Sequence, residues 1–222
     1  QVVEPVTSWD EAPARAGRLP FIINHRGEGT SVTLRVGEEV PETFHFRRVS
    51  DGMAQNAVLA LAAALELGVK PAELRERLAG WRPGKWRGEV IEREGRLLYV
   101  DCYNANPASM ADALTAFVAL APVGQPRLYV IGCMEELGPE SPAYHRTLGR
   151  SLKLGAQDRL LVIGTQAAAV CAGLAERAEG GGRWEAVESL EVVAPVVAQW
   201  RGAVFIKGSR RYRLETVLPA AA

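Results

Sequence analysis

Cysteine is scarce in this 222-residue sequence, with only Cys102, Cys133 and Cys171. The number is odd and the spacing wide, which argues against a disulfide framework and suits reduced thiols. Histidine is as scarce (His25, His45, His145), and none sits near a cysteine in the sequence, so a zinc site is not expected. Neither sign of charge is in excess: 26 Lys and Arg balance 26 Asp and Glu. A neutral chain gives no electrostatic reason to expect a nucleic-acid partner or a membrane-surface partner. No apolar run approaches the roughly 20 residues needed to cross a bilayer. The longest, 57–65, is short and alanine-rich. Glu4, Asp10 and Glu11 come too early for the apolar core of a secretory leader, and the sequence opens on Gln1 rather than Met. The expectation is a cytoplasmic protein, with this sequence starting inside a longer chain.

Hydrophobic residues make up 48% of the sequence, ample for a buried core. Segments 19–23, 31–36 and 43–49 read as strands, with clean alternation over 31–36. A helical pattern follows over 54–67, closed by Gly68, and a second helix starts at Pro71. The stretch 81–88 (Trp-Arg-Pro-Gly-Lys-Trp-Arg-Gly) breaks the pattern, which predicts two parts, 1–82 and 83–222, with 83–88 as a hinge. Beyond it, 89–93 and 96–101 read as a hairpin around Glu94-Gly95, and Asn106 caps a helix with Pro107 at its first position. Strands at 127–132, 159–164 and 203–206 then alternate with helical patterns at 141–154, 166–178 and 188–200. The last of these should kink at Pro195. Glycines 180–182 read as a loop, and a short helix should follow Gly208. Short apolar strands alternating with helices predict an α/β fold, Rossmann-like, with a mostly parallel sheet over 83–222. The part before it should be a small α+β unit.

In such a sheet, ligands sit beyond the C-terminal ends of the strands. Three feature-rich segments fall at such ends: 101–107, 132–138 and 207–210. The first, Asp-Cys-Tyr-Asn-Ala-Asn-Pro, packs polar side chains where a strand gives way to a helix whose first N–H groups are free. An aspartate there can accept both hydrogen bonds of a ribose diol. From chemistry alone, an ordinary capped strand-to-helix loop explains the segment equally well.

Taken together, the motifs resemble the Mur ligase family, in its D-alanyl-D-alanine-adding branch. Asp101 to Met110 is similar to the family's Asp-Ser-Tyr-Asn-Ala-Asn-Pro-x-Ser-Met, and Gly132 to Gly138 to its Gly-Asp-Met-x-Glu-Leu-Gly. His145, Lys207-Gly208-Ser209-Arg210 with Glu215, Arg87-Gly88-Glu89, and Asn56 on its Ala/Leu-rich helix follow the family's order. The resemblance covers about residues 30–217. It implies an ATP-dependent carboxylate–amine ligase of peptidoglycan precursor synthesis that works through an acyl phosphate. Its substrates would be a UDP-muramoyl-tripeptide and D-alanyl-D-alanine, and the protein would be a monomer. It implies that 1–82 ends the central ATP-binding domain and 83–222 is the C-terminal domain. The roles it implies are catalytic for Arg87 and His145. Asp101, Tyr103, Asn104 and Asn56 would bind ATP. Asn106, Lys207, Ser209 and Arg210 would bind the amine substrate.

No Gly-x-x-x-x-Gly-Lys-Ser/Thr occurs, so nothing in this sequence is expected to cradle the ATP phosphates or hold Mg2+. No metal ligand is assigned, and this chain alone is expected not to turn over. The family's His-Asn pair aligns with Gly52-Met53, the Asp of its Gly-Asp-Met loop is Cys133, the first Asp of its Asp-Asp pair is Val100, and the Gly before its linker arginine is Trp86. These departures keep two alternatives open: a Mur-type ligase with another substrate, and a non-catalytic nucleotide- or peptide-binding module. Cys102 and Cys133 lack an adjacent base in the sequence and read as passive small residues.

Overall fold

The computed structural model describes residues 2–7, 9, 18–36, 40–93, 95–177 and 180–218. The chain divides into two compact units, Gln1–Arg82 and Pro83–Ala222.

In the first unit, β1 (Val2–Pro5) runs parallel to β2 (Arg18–Arg26), which continues antiparallel into β3 (Gly29–Leu34) and β4 (Glu42–Arg47). Alternation sends Val32, Leu34, Phe44 and Phe46 to one face, where they pack with Ala54, Val58 and Leu61 of α1 (Asp51–Glu66). This helix starts three residues earlier than the apolar pattern predicts. The Ser50 hydroxyl accepts the Met53 amide at 3.3 Å, and Asp51 sits in the positively polarised first turn. Gly68, at φ +84°, follows the helix where a left-handed residue is needed. The second helix, α2, spans Pro71–Ala79.

The second unit is built on β5 (Glu89–Arg93), β6 (Arg96–Asp101), β7 (Arg127–Gly132), β8 (Arg159–Ile163), β9 (Arg183–Val187) and β10 (Ala203–Lys207). They form one sheet in the order β5-β6-β10-β7-β8-β9. Only the β5–β6 pair is antiparallel. Helices α3 (Pro107–Leu120), α4 (Ser141–Ser151) and α5 (Ala167–Ala175) cover one face, over Tyr99, Tyr129 and Phe205. Helix α6 (Leu190–Gln199) and a 3₁₀ turn at Leu214–Val217 cover the other, over Val100, Val130 and Ile206. Strands buried on both faces must be apolar at successive positions, which is why β6, β7, β8 and β10 are legible as continuous runs. The fold is the α/β class with a mostly parallel sheet.

Several further details depart from the expected elements, among them α5, which ends at Ala175. β9 has no counterpart among the expected elements; it is exposed at four of five positions, so this edge strand carries no apolar run. Helix α4 stops at Ser151 rather than 154. α6 runs unbroken through Pro195, which faces solvent. Two 3₁₀ turns, Arg210–Tyr212 and Leu214–Val217, replace the short helix expected after Gly208. Glu94 of the expected turn and Ala178, the expected end of α5, lie outside the described residues.

Two tertiary ties hold the faces. Arg96, 6% exposed, donates from Nη1 to the carbonyls of Val197, Ala198 and Trp200, satisfying the orphan acceptors at the end of α6. Helices α4 and α5 cross at Gly149 and Gly173, each backbone lying against the other helix's carbonyls. Arg146 and Arg150 of α4 both pair with Glu176, and hydrogen bonding to Arg146 holds that carboxyl below its ordinary range.

Candidate functional site

β6 and β10 are neighbours, and their last residues, Asp101 and Lys207, stand in register. After β6 the chain leaves toward α3 on one face; after β10 it leaves toward the Leu214–Val217 turn on the other. Diverging connections of this kind open a crevice at the C-terminal edge of a parallel sheet.

Lys207 is 1% exposed. Its ammonium donates to Asp101 Oδ2 at 2.6 Å and to the Asn104 carbonyl at 3.1 Å. Asp101 Oδ1 accepts the Gly88 amide at 3.2 Å, and the Tyr103 amide donates to the Trp86 carbonyl, also at 3.2 Å. The segment ahead of β5 is thus tied to the end of β6 at two points. Its backbone is strained at Trp86, a bulky residue with φ +62°, whereas Gly88 takes its φ of +64° at no steric cost. A bulky side chain in the left-handed region costs roughly 1–3 kcal/mol, which a glycine at Trp86 would not incur.

Around this tie three exposed cations meet two aromatic rings. The Arg87 guanidinium lies 3.8 Å from the Tyr103 ring centroid. Lys85 Nζ and the Arg210 guanidinium lie 4.8 and 4.6 Å from that of Trp86. Arg210 also pairs with Glu215 at 2.5 Å. Planar guanidinium groups held on aromatic faces are pre-oriented for phosphate or carboxylate oxygens. The nearby carboxylates are engaged: Asp101 with Lys207, Glu215 with Arg210, and Glu135 with the Tyr212 hydroxyl and Arg211. Tyr212 lies across the ends of β7 and β8. A side chain at Gly164 would collide with its hydroxyl. No sequence signal marked Tyr212; its partner Glu135 is 77 positions away.

Several residues with expected roles make contacts within the fold. His145 is fully buried and was expected to be catalytic. Its Nε2 accepts the Met134 amide at 2.9 Å and its Nδ1 donates to the Ser141 carbonyl at 2.7 Å, a tautomer assigned from these partners. Both nitrogens serve main-chain groups, one in the 132–138 loop and the other in the first turn of α4. His145→Ala is expected to cost about 1–3 kcal/mol by stranding the Met134 amide. A urea midpoint unchanged from wild type would reject this role. Lys207 was expected to offer its charge to a ligand; in this structure it is buried and paired with Asp101. Ser209, 8% exposed, uses its hydroxyl to accept the Arg211 amide at 3.4 Å. Of these three residues, Arg210 alone presents an exposed charge. Asn106 caps α3 in a reciprocal box with Ser109, and Asn104 turns Oδ1 back to the Ala105 amide at 2.8 Å. Asn56 belongs to the other unit, exposed on α1 beside a groove of about 340 Å³ lined by Met53, Leu74 and Trp81.

Cys102 and Cys133 are buried. Burial pushes the Cys102 thiol up to about 12, with Glu215 and Asp101 adding to it. Burial pushes Cys133 up to about 11. Folded thiols that ionise later than unfolded ones, whose ordinary value is 9.0, stabilise the fold fully below that value. That stability is lost as pH rises toward 11–12. The urea midpoint is therefore expected to fall between pH 8.5 and 10.5, and to fall less in a Cys102→Ala/Cys133→Ala variant. Equal losses in both proteins would refute the assignment to these thiols.

Residues 86–210 match the profile described as Mur ligase, glutamate ligase domain. The chain is 26% identical over 199 residues to the UDP-N-acetylmuramoyl-tripeptide--D-alanyl-D-alanine ligase of Bacillus subtilis (strain 168), covering 88% of this chain and 43% of that protein. It is 30% identical over 166 residues to the ligase of the same name from Escherichia coli (strain K12), covering 74% and 36%. The chain thus spans less than half the length of these relatives. A crystal structure of MurF from Acinetobacter baumannii shares the fold, with TM-score 0.71 and 23% identity over 90% of this chain and 45% of that one. MurF ligase from Thermotoga maritima in complex with ADP does so at TM-score 0.69 and 21% identity, over 90% and 47%.

Proposed function

Because this chain belongs to the Mur ligase family, we propose that it is the C-terminal part of an ATP-dependent ligase that joins D-alanyl-D-alanine to a UDP-N-acetylmuramoyl-tripeptide. Relatives bearing that name, alike over most of this chain, support the choice of substrates. The observation that carries the reading is the cationic and aromatic edge formed by Arg87, Tyr103, Trp86 and Arg210. Residues 1–82 would end the central ATP-binding domain and 83–222 form the C-terminal domain, in a cytoplasmic monomer.

In the reaction, the tripeptide carboxylate takes the terminal phosphoryl group of ATP. The dipeptide amine then attacks the acyl phosphate, the amide forms and phosphate leaves. Arg87, exposed and pre-oriented on Tyr103, is suited to stabilise charge on the transferred phosphoryl group. Arg210 is suited to hold the carboxylate of the incoming dipeptide. Tyr103 and Asn104 would lie beside the nucleotide. The donor set fits a polyanion but not Mg2+, since the carboxylates described at this edge are already paired. The metal's ligands would belong to the parent protein's other part, as would Asn56's nucleotide-side neighbours. A non-catalytic binding module is the second reading. It is favoured by the buried pairing of Lys207 with Asp101, which removes one expected substrate contact.

The test is phosphate release from ATP by the full-length protein, given the UDP-muramoyl-tripeptide with and without D-alanyl-D-alanine, with this chain as control. Release that requires both substrates, a silent control, and a loss of about 10²–10³-fold in Arg87→Ala are expected. Release indifferent to the dipeptide, or an active control, rejects the reading.

A further inference from the structure

We propose that the outer face of the first unit's sheet carries an anion site, built by Arg26, Arg47, Asn24, Ser31 and His45 around Gly29, that takes a phosphate group. It belongs to a different unit from the Arg87 and Arg210 edge, and it does not rest on the ligase reading. Pleating sends alternate residues of a strand to opposite faces. Val32, Phe44 and Phe46 face the core with α1. Asn24 and Arg26 of β2, Gly29 and Ser31 of β3, and His45 and Arg47 of β4 therefore share the outer face. The registers set them in two rows across the strands: Asn24, Ser31, His45 and Arg26, Gly29, Arg47. In the second row a residue without a side chain lies between two arginines. Neighbouring strands are about 4.8 Å apart, so the two arginines start about 10 Å apart across that gap. A hollow of about 250 Å³ opens there, and its lining includes Asn24, Arg26, Gly29, Ser31 and His45.

Three features separate this hollow from an ordinary solvated sheet face. No carboxylate among the described residues lines it. Among the described residues, the side chains of Asn24, Arg26, Ser31 and His45 have no hydrogen-bonding partner, whereas Thr33 and Thr43, further along the same face, bond each other at 2.9 Å. The glycine is also not required at its centre. A Cβ on Gly29 would meet the Arg26 and Phe46 carbonyl oxygens at 3.6 and 3.9 Å, which is ordinary contact. Sheet packing therefore does not account for the gap. Guanidinium forks from two sides, with amide, hydroxyl and imidazole donors beside them, match the tetrahedral oxygens of a phosphate better than the plane of a carboxylate.

Inorganic phosphate, titrated into this chain at constant ionic strength with chloride as the balancing anion, tests the site by nuclear magnetic resonance. The Asn24 side-chain amide, the Ser31 amide and the Arg26 Nε–H should shift and saturate together. Shifts that do not saturate reject the site. Gly29→Val separates a site from a general charge effect, because it fills the gap, keeps every charge and suits a strand. Affinity should fall by about tenfold or more in this variant. It should fall by about tenfold in Arg26→Gln and in Arg47→Gln, as the loss of one charge-assisted bond implies. Wild-type affinity in a folded Gly29→Val overturns the proposal. Arg77→Gln removes one charge from α2 of the same unit and should bind as wild type does. If Gly29→Val fails to fold, an Arg26→Gln variant that binds as tightly as Arg77→Gln also overturns it. Adenosine monophosphate identifies the source of the group. Affinity equal to that of phosphate means that the free ion suffices; tighter binding, lost equally in Gly29→Val, means that a nucleotide brings it. The full-length protein should give the same saturating shifts with phosphate. Their absence there would show that the rest of the parent covers this face, and would reject the site.

Discussion

Replacing Gly173 by alanine is expected to destabilise the second unit by on the order of 3 kcal/mol and to lower its melting temperature by roughly 10 °C. Helix propensity points the other way: alanine is favoured over glycine inside a helix by about 1 kcal/mol. Packing decides the sign. A methyl at Gly173 would collide with the Arg146 carbonyl and crowd the Arg150 backbone, and one at Gly149 would collide with the Val170 carbonyl. These obstacles are main chain, so no rotamer change relieves them, and α4 and α5 would have to separate. Separation would pull Glu176 away from Arg146 and Arg150 and loosen Val170 and Leu174 from the core. Thermal unfolding followed by circular dichroism checks this. A melting temperature equal to or above wild type would mean that the helices do not approach so closely.

The single change Asp101→Ala is expected to cost about 3–5 kcal/mol, because it leaves a buried ammonium without its counter-charge. Removing both charges, in Asp101→Asn/Lys207→Met, should recover most of that loss, since a buried ion pair is itself close to break-even against neutral groups of similar shape. Lys207→Met alone should cost less than Asp101→Ala, because the remaining carboxylate is partly solvated and keeps the Gly88 amide. Urea midpoints of wild type, the two single variants and the double variant check this ordering. A double variant as unstable as Asp101→Ala would show that the pair is worth much more than its own desolvation.

Much of this architecture is legible before any coordinates. The apolar runs of β6, β7, β8 and β10 announce a sheet covered on both faces, and the polar segments at their ends converge on one edge. β9 is not legible, because an exposed edge strand shows the solvent four of its five side chains. The early start of α1 hides in Ser50, whose capping bond carries no hydrophobic signature. At the candidate site the residue identities can be read but not their duties. Lys207 and Asp101 are 106 positions apart, and motif order cannot say that they neutralise each other. The partners of His145 are main-chain groups, which every sequence contains, so its structural duty is invisible to motif reading. The left-handed turn at Trp86 is hidden for the opposite reason: tryptophan is the wrong residue for it, and only the pinned backbone reveals why it is there.

The position of β10 bears on how the molecule comes to be. It follows the other five strands of its sheet in the sequence, yet it lies between β6 and β7. A nascent chain leaving the ribosome would therefore carry the slot between β6 and β7 unfilled until β10 is made, since β10 pairs with β6 across 106 positions (Leu98 with Val204) and with β7 across 76 (Arg127 with Ala203). Two open, apolar strand edges are a hazard during that wait. A ribosome paused between the end of β7 and the start of β10 would present a half-sheet with a gap at its centre, a natural target for chaperones. The arrival of β10 would close the gap and deliver Lys207 to Asp101 in the same event.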